Sequence, residues 1–481
     1  MVLAVLVAYM VGMILLGVYA SRKVKSADDF FLAGRRLGAF IVAISHQAAA
    51  LSGWLFLAWA GMVYGMGLKA IYTVFSSGFA PITNFLVLAK RLRVFSGLTG
   101  SRTIPDVLEA RYYDEDKRII RSITVVIIFI CMIVYTASQI MAAGAAFYVM
   151  LGWPKVTSML ISALVVIAYT SCGGLISVTI TDTIQGIIMI AIVVVGLIVG
   201  LVKANGFGGM IASLRSQAPE LLSPALALPT AIGLLGAGIL GYPGQPHIAM
   251  MFMGMKSGKT ARPAAAIAGG MSLTMLAGSF LALLAARTLF PKIDNPEYTF
   301  LRLFMTYTPK AVVGIFMAAV MAAIMSTADA LLHSSTTAVV QDFYNKVLKR
   351  GKASDRELLV MSRIITLVVG AAALAIALRP FAGILWVNWW AWGGLSVFSP
   401  ILVLGLYWKR ATREGAIAGL VGGFIGTALW FQLGLHTWMH MTIPAVVISG
   451  VLLVVVSLVT SPPPKRVQEL VEGLGRNEAD N

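Results

Sequence analysis

In the stretch from Met317 to Tyr344, MAAVMAAIMSTADALLHSSTTAVVQDFY, the residues Ala323, Ser326, Thr327, Ala330, Ser334 and Thr337 recur at steps of three and four. On a helix those positions share one face, so a small and hydroxylated seam runs down an otherwise greasy surface. Hydroxyl oxygens shielded from water, joined by main-chain carbonyls, suit a hard cation such as Na⁺. The same seam also suits close packing of helices in lipid. What favours the cation is a source of free carbonyls elsewhere. Two other apolar stretches supply one, because they carry helix-breaking residues at their centres: Ala48 to Trp54 (AAALSGW) and Gly241 to His247 (GYPGQPH). A broken helix is tolerated in lipid only where its freed backbone groups line a cavity or bind something. Discontinuous helices of this kind build the mid-membrane substrate and ion sites of transporters.

Of the 20 acidic residues, only Asp182 and Asp329 lie within apolar runs. A carboxylate at membrane depth is costly unless paired, which makes each a candidate site residue. Asp182 sits in TITDTIQG with Gln185 one turn on, and partnership with a helix N-terminus is the alternative reading. Asp329 has His333 four residues later, a spacing that allows a local pair with a structural or gating role. His46, His247, His436 and His440 show no ligand spacing and read as packing or interface residues. Cys131 and Cys172, the only thiols, read as packing residues too, so neither a disulfide scaffold nor a cysteine metal site is expected.

The elements that must position these groups are membrane spans. The chain is 59% hydrophobic and 12% charged over 481 residues, too apolar for a water-soluble globule. Runs long enough to cross the hydrocarbon lie near residues 2–20, 38–62, 67–89, 122–150, 155–173, 176–202, 226–250, 264–288, 309–340, 361–378, 381–407, 414–434 and 441–460, about thirteen helices in all. Setting the first aside, the two broken spans open successive five-helix groups, the placement an inverted repeat requires. The formal charge of +17 comes from loops. With the N-terminus outside, 28 of the 37 lysines and arginines fall on the inner side, so the chain is expected N-out and C-in in the cell inner membrane. Lys23 and Lys349 then face the cytoplasm, whereas Lys155 and Lys203 face outward. The first run has no basic region before it, and Arg22, Lys23 and Lys25 follow it, as in a retained span rather than a signal peptide. Residues 1–460 thus read as one transmembrane transporter domain, with a core at about 38–407. Residues 461–481 read as a loosely ordered cytoplasmic tail.

Seven stretches resemble the sodium:solute symporter family, and the sodium/proline symporters most: DDFFLAGRRLG (28–38), LSGW (51–54), VYTAS (134–138), TDTIQ (181–185), GYPGQPHI (241–248), AAIMST (322–327) and LVLGLYWKRATREGAIAG (402–419). They run in order across nearly the whole chain. The resemblance implies an all-α membrane protein with a five-plus-five inverted-repeat core of the leucine-transporter type. It implies a sodium site built from the carbonyls of Ala48, Leu51 and Ala323 and the hydroxyls of Ser326 and Thr327, with Asp182 near a possible second sodium position. It also implies solute contacts from Ser52, Gly53, Trp54, Tyr135, Tyr242, Pro246 and Ala330. The chain departs from the proline symporters at Ala50 (an aspartate there), Gly238 (a tryptophan), Met251 (an arginine) and Ala330 (a cysteine), so a larger amino acid or a small carboxylate also becomes plausible.

The expected function is sodium-coupled import of a small organic solute, an amino acid such as proline, by alternating access. Na⁺ is the coupling ion, with no organic cofactor, no nucleic acid and no obligate protein partner. A proton-coupled symporter of a small carboxylate and a transporter-like solute sensor are the alternatives. An intramembrane enzyme is disfavoured, since the spans carry no HExxH, GxSxG or paired-carboxylate arrangement.

Overall fold

A computed structural model describes residues 1–22, 27–170 and 174–476, and every regular element among them is a helix. Cys172 and Lys23 lie outside the described residues. The helices used below are α1 (Val2–Ser21), α2 (Ala39–Leu51), α3 (Ala58–Met66), α4 (Ile71–Asn84), α5 (Ile104–Arg111), α6 (Ile119–Leu151), α7 (Lys155–Thr170), α8 (Leu175–Lys203), α9 (Leu228–Gly241), α10 (Pro246–Met253), α11 (Ala261–Leu289), α12 (Lys310–Thr337), α13 (Asp355–Leu378), α14 (Ile384–Leu395), α15 (Phe398–Tyr407), α16 (Arg413–Gln432), α17 (Thr442–Val459) and α18 (Lys465–Arg476). Ten described helical stretches are long and apolar enough to cross a bilayer. Shorter apolar helices at Ala39–Leu51, Lys155–Ile167 and Leu228–Gly244 fall on three further expected spans.

Helix α12 is the axis of the molecule. Every residue from Phe316 to Thr337 is buried, and α1, α2, α6, α8 and α13 pack around it. Its alanines and hydroxyls allow that density, since small side chains let neighbouring backbones approach. Helix α2 is buried from Val42 to Leu51 between α8, α11 and α12. By contrast α1, α13, α16 and α17 each leave one row of large apolar side chains uncovered, such as Val7, Val11 and Leu15 or Val447, Val451 and Val455. Rows of that kind are expected where lipid is the neighbour.

Both breaks fall where Gly, Ser and Pro interrupt the apolar pattern. Helix α2 ends at Leu51, and Ser52 then takes φ 52°, ψ −175°, a conformation that costs a non-glycine residue about 1–3 kcal/mol. Compensation is local and tertiary. The Ser52 hydroxyl accepts from the Trp54 N–H (3.0 Å), and the Gln139 side chain of α6 accepts from the Gly53 N–H (3.1 Å). In the second break, Tyr242–Gly244 form one short turn between α9 and α10, and the Gln245 amide donates to the carbonyls of Gly241 (3.1 Å) and Trp392 (3.2 Å). Side-chain amides thus satisfy main-chain groups that a continuous helix would pair internally.

The tail differs from its expected loose order. Residues 465–476 form α18, which buries Val467, Val471 and Leu474 and joins Glu472 to Lys409 in an ion pair. Those three apolar residues share one helical face, and a surface beside α15 covers it. At the start of this helix the Pro464 carbonyl accepts from the N–H groups of Val467 (2.9 Å) and Gln468 (3.2 Å).

Candidate functional site

The end of α2 meets α12 through oxygen atoms. The Ser326 hydroxyl lies 2.9 Å from the Ala48 carbonyl and 3.1 Å from the Ala323 carbonyl. The Thr327 hydroxyl lies 2.8 Å from the Ala49 carbonyl and 3.2 Å from that of Ala323. Leu51, at the end of the same helix, is also buried. Of the five residues named for the sodium site, Ala48, Ala323, Ser326 and Thr327 are therefore in direct mutual contact, with Ala49 joining them unannounced. Rotating the two hydroxyl protons away would turn an all-oxygen cluster, closed to water, toward a cation. That donor set fits Na⁺ rather than a soft transition metal.

One turn back along α2, the Ser45 hydroxyl donates to Asp182 Oδ2 at 2.9 Å. Helix α12 runs antiparallel to α2, since Gly53 lies against Ile324 and Ala48 against Ser326. One turn beyond Ser326 therefore brings Asp329 to the level of Asp182, and the two carboxyls are close enough to act on one another electrostatically. Gln185 donates to the Tyr9 hydroxyl of α1 (3.1 Å), while Asp182 Oδ1 and Gln185 Oε1, both fully buried, have no donor. Orphaned acceptors at this depth call for a proton or a cation. His333, the suggested partner of Asp329, lies tilted against Phe30 with ring centroids 5.4 Å apart and forms a hydrogen bond with the Phe31 backbone.

Above the oxygen cluster, a cavity of about 60 Å³ lies between the two breaks, with room for roughly four to six waters at ~10–15 Å³ each. Ser52 and Trp54 line it from the first break, Tyr242 and Gly238 from the second, and Tyr135 from α6, so the expected aromatic convergence is present. The Tyr135 hydroxyl engages the side chains of Ser52 and Asn388. Gly53, Pro246 and Ala330 are not among the lining residues. The Gly53 N–H is turned to Gln139, Pro246 opens α10 below the break, and Ala330 lies on α12 a turn past the oxygen cluster. Met251 is likewise remote and receives the Ser45 hydroxyl at its sulfur (3.6 Å).

Several lining residues had no motif to announce them: Thr73 and Ser77 from α4, Asn388, Trp389 and Trp392 from α14, and His440 before α17. For Asn388, Trp389 and Trp392 alone, the aromatic run WVNWWAW (386–392) is a visible signal. His440, read as a packing residue, lines the cavity wall. The cavity bears no charged side chain, yet Trp54 Nε1, Asn388 Nδ2 and the Thr73 hydroxyl have no partner there. Unmet donors among aromatic faces favour a solute that brings its own acceptors.

The wall formed by Leu234, Trp389 and His440 is shared with a chamber of about 640 Å³ at the end of the molecule carrying residues 295–297 and 436–440. The opposite end carries a separate pocket of about 330 Å³, lined by Asp106, Glu109, Arg118, Arg121 and Lys346, which shares no lining residue with the cavity. There Arg121 of α6 is buried against Asp106 (2.8 Å), Glu109 and Asp342; Lys346 also reaches Asp106, and Thr103 donates to Asp342 (2.8 Å). Burial opposes ionisation of Asp106, but the neighbouring Arg121 and Lys346, with the Arg102 N–H, hold its carboxyl below the usual range.

The sequence model of the sodium:solute symporter family matches residues 30–423. The osmoregulated proline transporter of Bacillus subtilis (strain 168) is 32% identical over 467 residues, covering 95% of this chain and 94% of its own. The sodium/proline symporter of Escherichia coli (strain K12) is 31% identical over 475 residues, covering 96% and 93%. Among solved structures, a Na⁺-coupled sialic acid symporter in a substrate-bound outward-open state superposes with a TM-score of 0.81 at 21% identity, over 96% of this chain and 98% of that one. Mhp1, a nucleobase-cation-symport-1 family transporter, gives 0.58 at 12% identity, over 94% and 99%.

Proposed function

Because the chain belongs to the sodium:solute symporter family, we propose that it imports a proline-type amino acid together with Na⁺ by alternating access, with no organic cofactor and no catalytic step. The observation that carries this reading is that one broken helix serves both ligands. Helix α2 offers the Ala48 and Ala49 carbonyls to the Ser326/Thr327 hydroxyls, and the residues that follow it, Ser52 and Trp54, line the cavity. A Na⁺ that orders the end of α2 thereby orders one wall of the solute cavity. By linkage the solute must in turn tighten Na⁺ binding. With N-out topology the 640 Å³ chamber faces outside and the Arg121 network closes the cytoplasmic end, which is the state that loads solute. The membrane potential contributes about 2.3 kcal/mol per charge per 100 mV, enough for one Na⁺ to drive substantial accumulation.

The solute's carboxylate is assigned to the unmet donors of Trp54, Asn388 and Thr73, and its apolar body to Tyr135, Tyr242 and Trp392. Asp182, with Ser45 and Asp329, forms the candidate position for a second sodium. The decisive measurement is uptake of labelled proline into proteoliposomes under an inward Na⁺ gradient. Accumulation that collapses without sodium is expected, and sodium-independent uptake refutes the coupling. The Asp182/Asp329 juxtaposition favours one rival, coupling to H⁺. Uptake in sodium-free vesicles that are acidic outside would support that rival instead.

A further inference from the structure

Helix α1 stands outside the two five-helix groups, yet it packs along both α8 and α12, the helices that carry Asp182 and Asp329. It runs antiparallel to α8. The Ser177 hydroxyl donates to the Gly17 carbonyl (3.2 Å), and further along the Gln185 amide donates to the Tyr9 hydroxyl (3.1 Å). Leu6, Met13 and Ala20 of α1 are buried, with Tyr9 packed half-buried beside them, and Tyr9 alone on this face is polar. A hydroxyl taken out of water is costly without a hydrogen-bond partner. Here that partner is a side chain of the candidate ion position.

The bond decides what Gln185 shows to Asp182. The two residues lie one turn apart on one face of α8, and both are fully buried. With its nitrogen committed to Tyr9, Gln185 is left with Oε1 free, and Oε1 and Asp182 Oδ1 are acceptors that no donor meets. The Tyr9 oxygen accepts from Gln185, so its O–H remains to donate, and the carboxyls that act on it are those of Asp329 and Asp182. Carboxyl, amide and phenol oxygens thus gather beside α12, a donor set that suits a hard cation. An amide turned the other way would aim N–H donors at that cation and repel it.

We propose that Tyr9 is a positioning residue of the second sodium position: its hydroxyl fixes the Gln185 amide so that Oε1 joins Asp182 as a ligand. A helix outside the repeated core thereby takes part in ion binding. This rests on the reading of Asp182 as a sodium position, but its test needs neither solute nor transport. Radiolabelled Na⁺ is the probe, and its binding to the purified protein is measured by equilibrium dialysis. In a Ser326→Ala/Thr327→Ala background the first position is disabled, so residual binding reports the second.

Residual binding is expected there, abolished by Asp182→Asn and weakened about tenfold by Tyr9→Phe, which keeps the ring and removes only the hydroxyl. In the otherwise wild-type protein, Tyr9→Phe should weaken one of two binding components and leave the Ser326/Thr327 component unchanged. A loosened fold would weaken both, and that result overturns the positioning role. So does binding that is the same with tyrosine and phenylalanine, or a wild-type isotherm with a single component that both hydroxyl substitutions remove. If the Tyr9 effect appears as described while sodium-driven proline uptake is absent, the ion position stands and the transport reading falls.

Discussion

Ser326 and Thr327 are adjacent in sequence, yet their hydroxyls point to different carbonyls of the first broken helix, Ala48 and Ala49. If these oxygens hold the proposed Na⁺, removing either hydroxyl to Ala leaves the cation one ligand short, at a cost of roughly 1–3 kcal/mol. At ~1.4 kcal/mol per decade that is on the order of five- to a hundredfold in Na⁺ affinity. Linkage makes the loss appear twice, as weaker Na⁺ activation and as weaker solute affinity at subsaturating sodium. High sodium should restore the second. Unchanged sodium activation curves in both variants would place the ion elsewhere. Tyr135→Ala should behave oppositely, raising the apparent solute constant with little change in sodium activation, because its ring lines the cavity proposed for the solute and not the oxygen cluster. Uptake kinetics over a grid of sodium and solute concentrations separates the two patterns.

At the scale of elements, the second break is held against α14 by atoms in near contact. A Cβ on Gly244 would lie 2.6 Å from the Leu395 carbonyl and 2.7 Å from the Ser399 hydroxyl. One of these atoms is main chain, so the strain cannot be relieved by a rotamer change. Gly244→Ala should destabilise the protein by about 1–3 kcal/mol and push α14 away from the cavity. A lowered melting temperature in detergent, with a solute affinity that falls while α1 and α13 are untouched, is the expected outcome. Wild-type stability together with wild-type uptake would show that α9 and α14 do not need this approach.

Across the whole molecule, the end that carries Arg121, proposed above as the cytoplasmic closure, is held by buried charge. Arg121 faces three buried carboxylates, and Arg121→Gln removes the cation they share, leaving Lys346 at Asp106 and Arg118 at Glu109; a broken buried pair typically costs about 3–5 kcal/mol. The variant should favour inward opening, read as greater labelling of a cysteine placed at the floor of the inner cavity from the cytoplasmic side. Equal labelling in both proteins would remove the network from gating. The pH dependence has a definite sign. The folded-state carboxyl of Asp106 sits below its ordinary value of about 3.9, so its contribution is complete above that pH and is lost as pH falls through the lower folded value. The Asp106 share of the network should therefore be intact from neutral pH down to about 4. Orientation is tested by cysteine labelling from outside intact cells: positions 155 and 203 should react, and position 349 should not. Reaction at 349 would invert the assignment of both chambers.

The amino-acid sequence alone determined the membrane setting, the two breaks and the hydroxyl seam, because each is a local or strictly periodic property. Apolar runs, Gly/Pro punctuation and steps of three and four are visible without knowing what lies opposite. It also carried enough motif to identify Ala48, Ala323, Ser326 and Thr327, which the folded chain brings into contact. The cavity wall was not legible in this way. Asn388, Trp389, Trp392 and His440 join Tyr135 from more than 200 residues away, and nothing local in WVNWWAW says which indole faces lipid and which faces solute. In the opposite sense, Gly53 and Pro246, in matched motifs, and Ala330, carried over as a pocket position, stand off the cavity, since a motif records chain neighbours and a cavity is lined by spatial ones. The surroundings of Asp329 were likewise decided by tertiary structure: the i, i+4 spacing pointed to His333, while the crossing of α2 and α12 also brings Asp329 within electrostatic reach of Asp182. Helix α18 was misread for the same reason, because the face of Val467, Val471 and Leu474 has value only where another surface covers it.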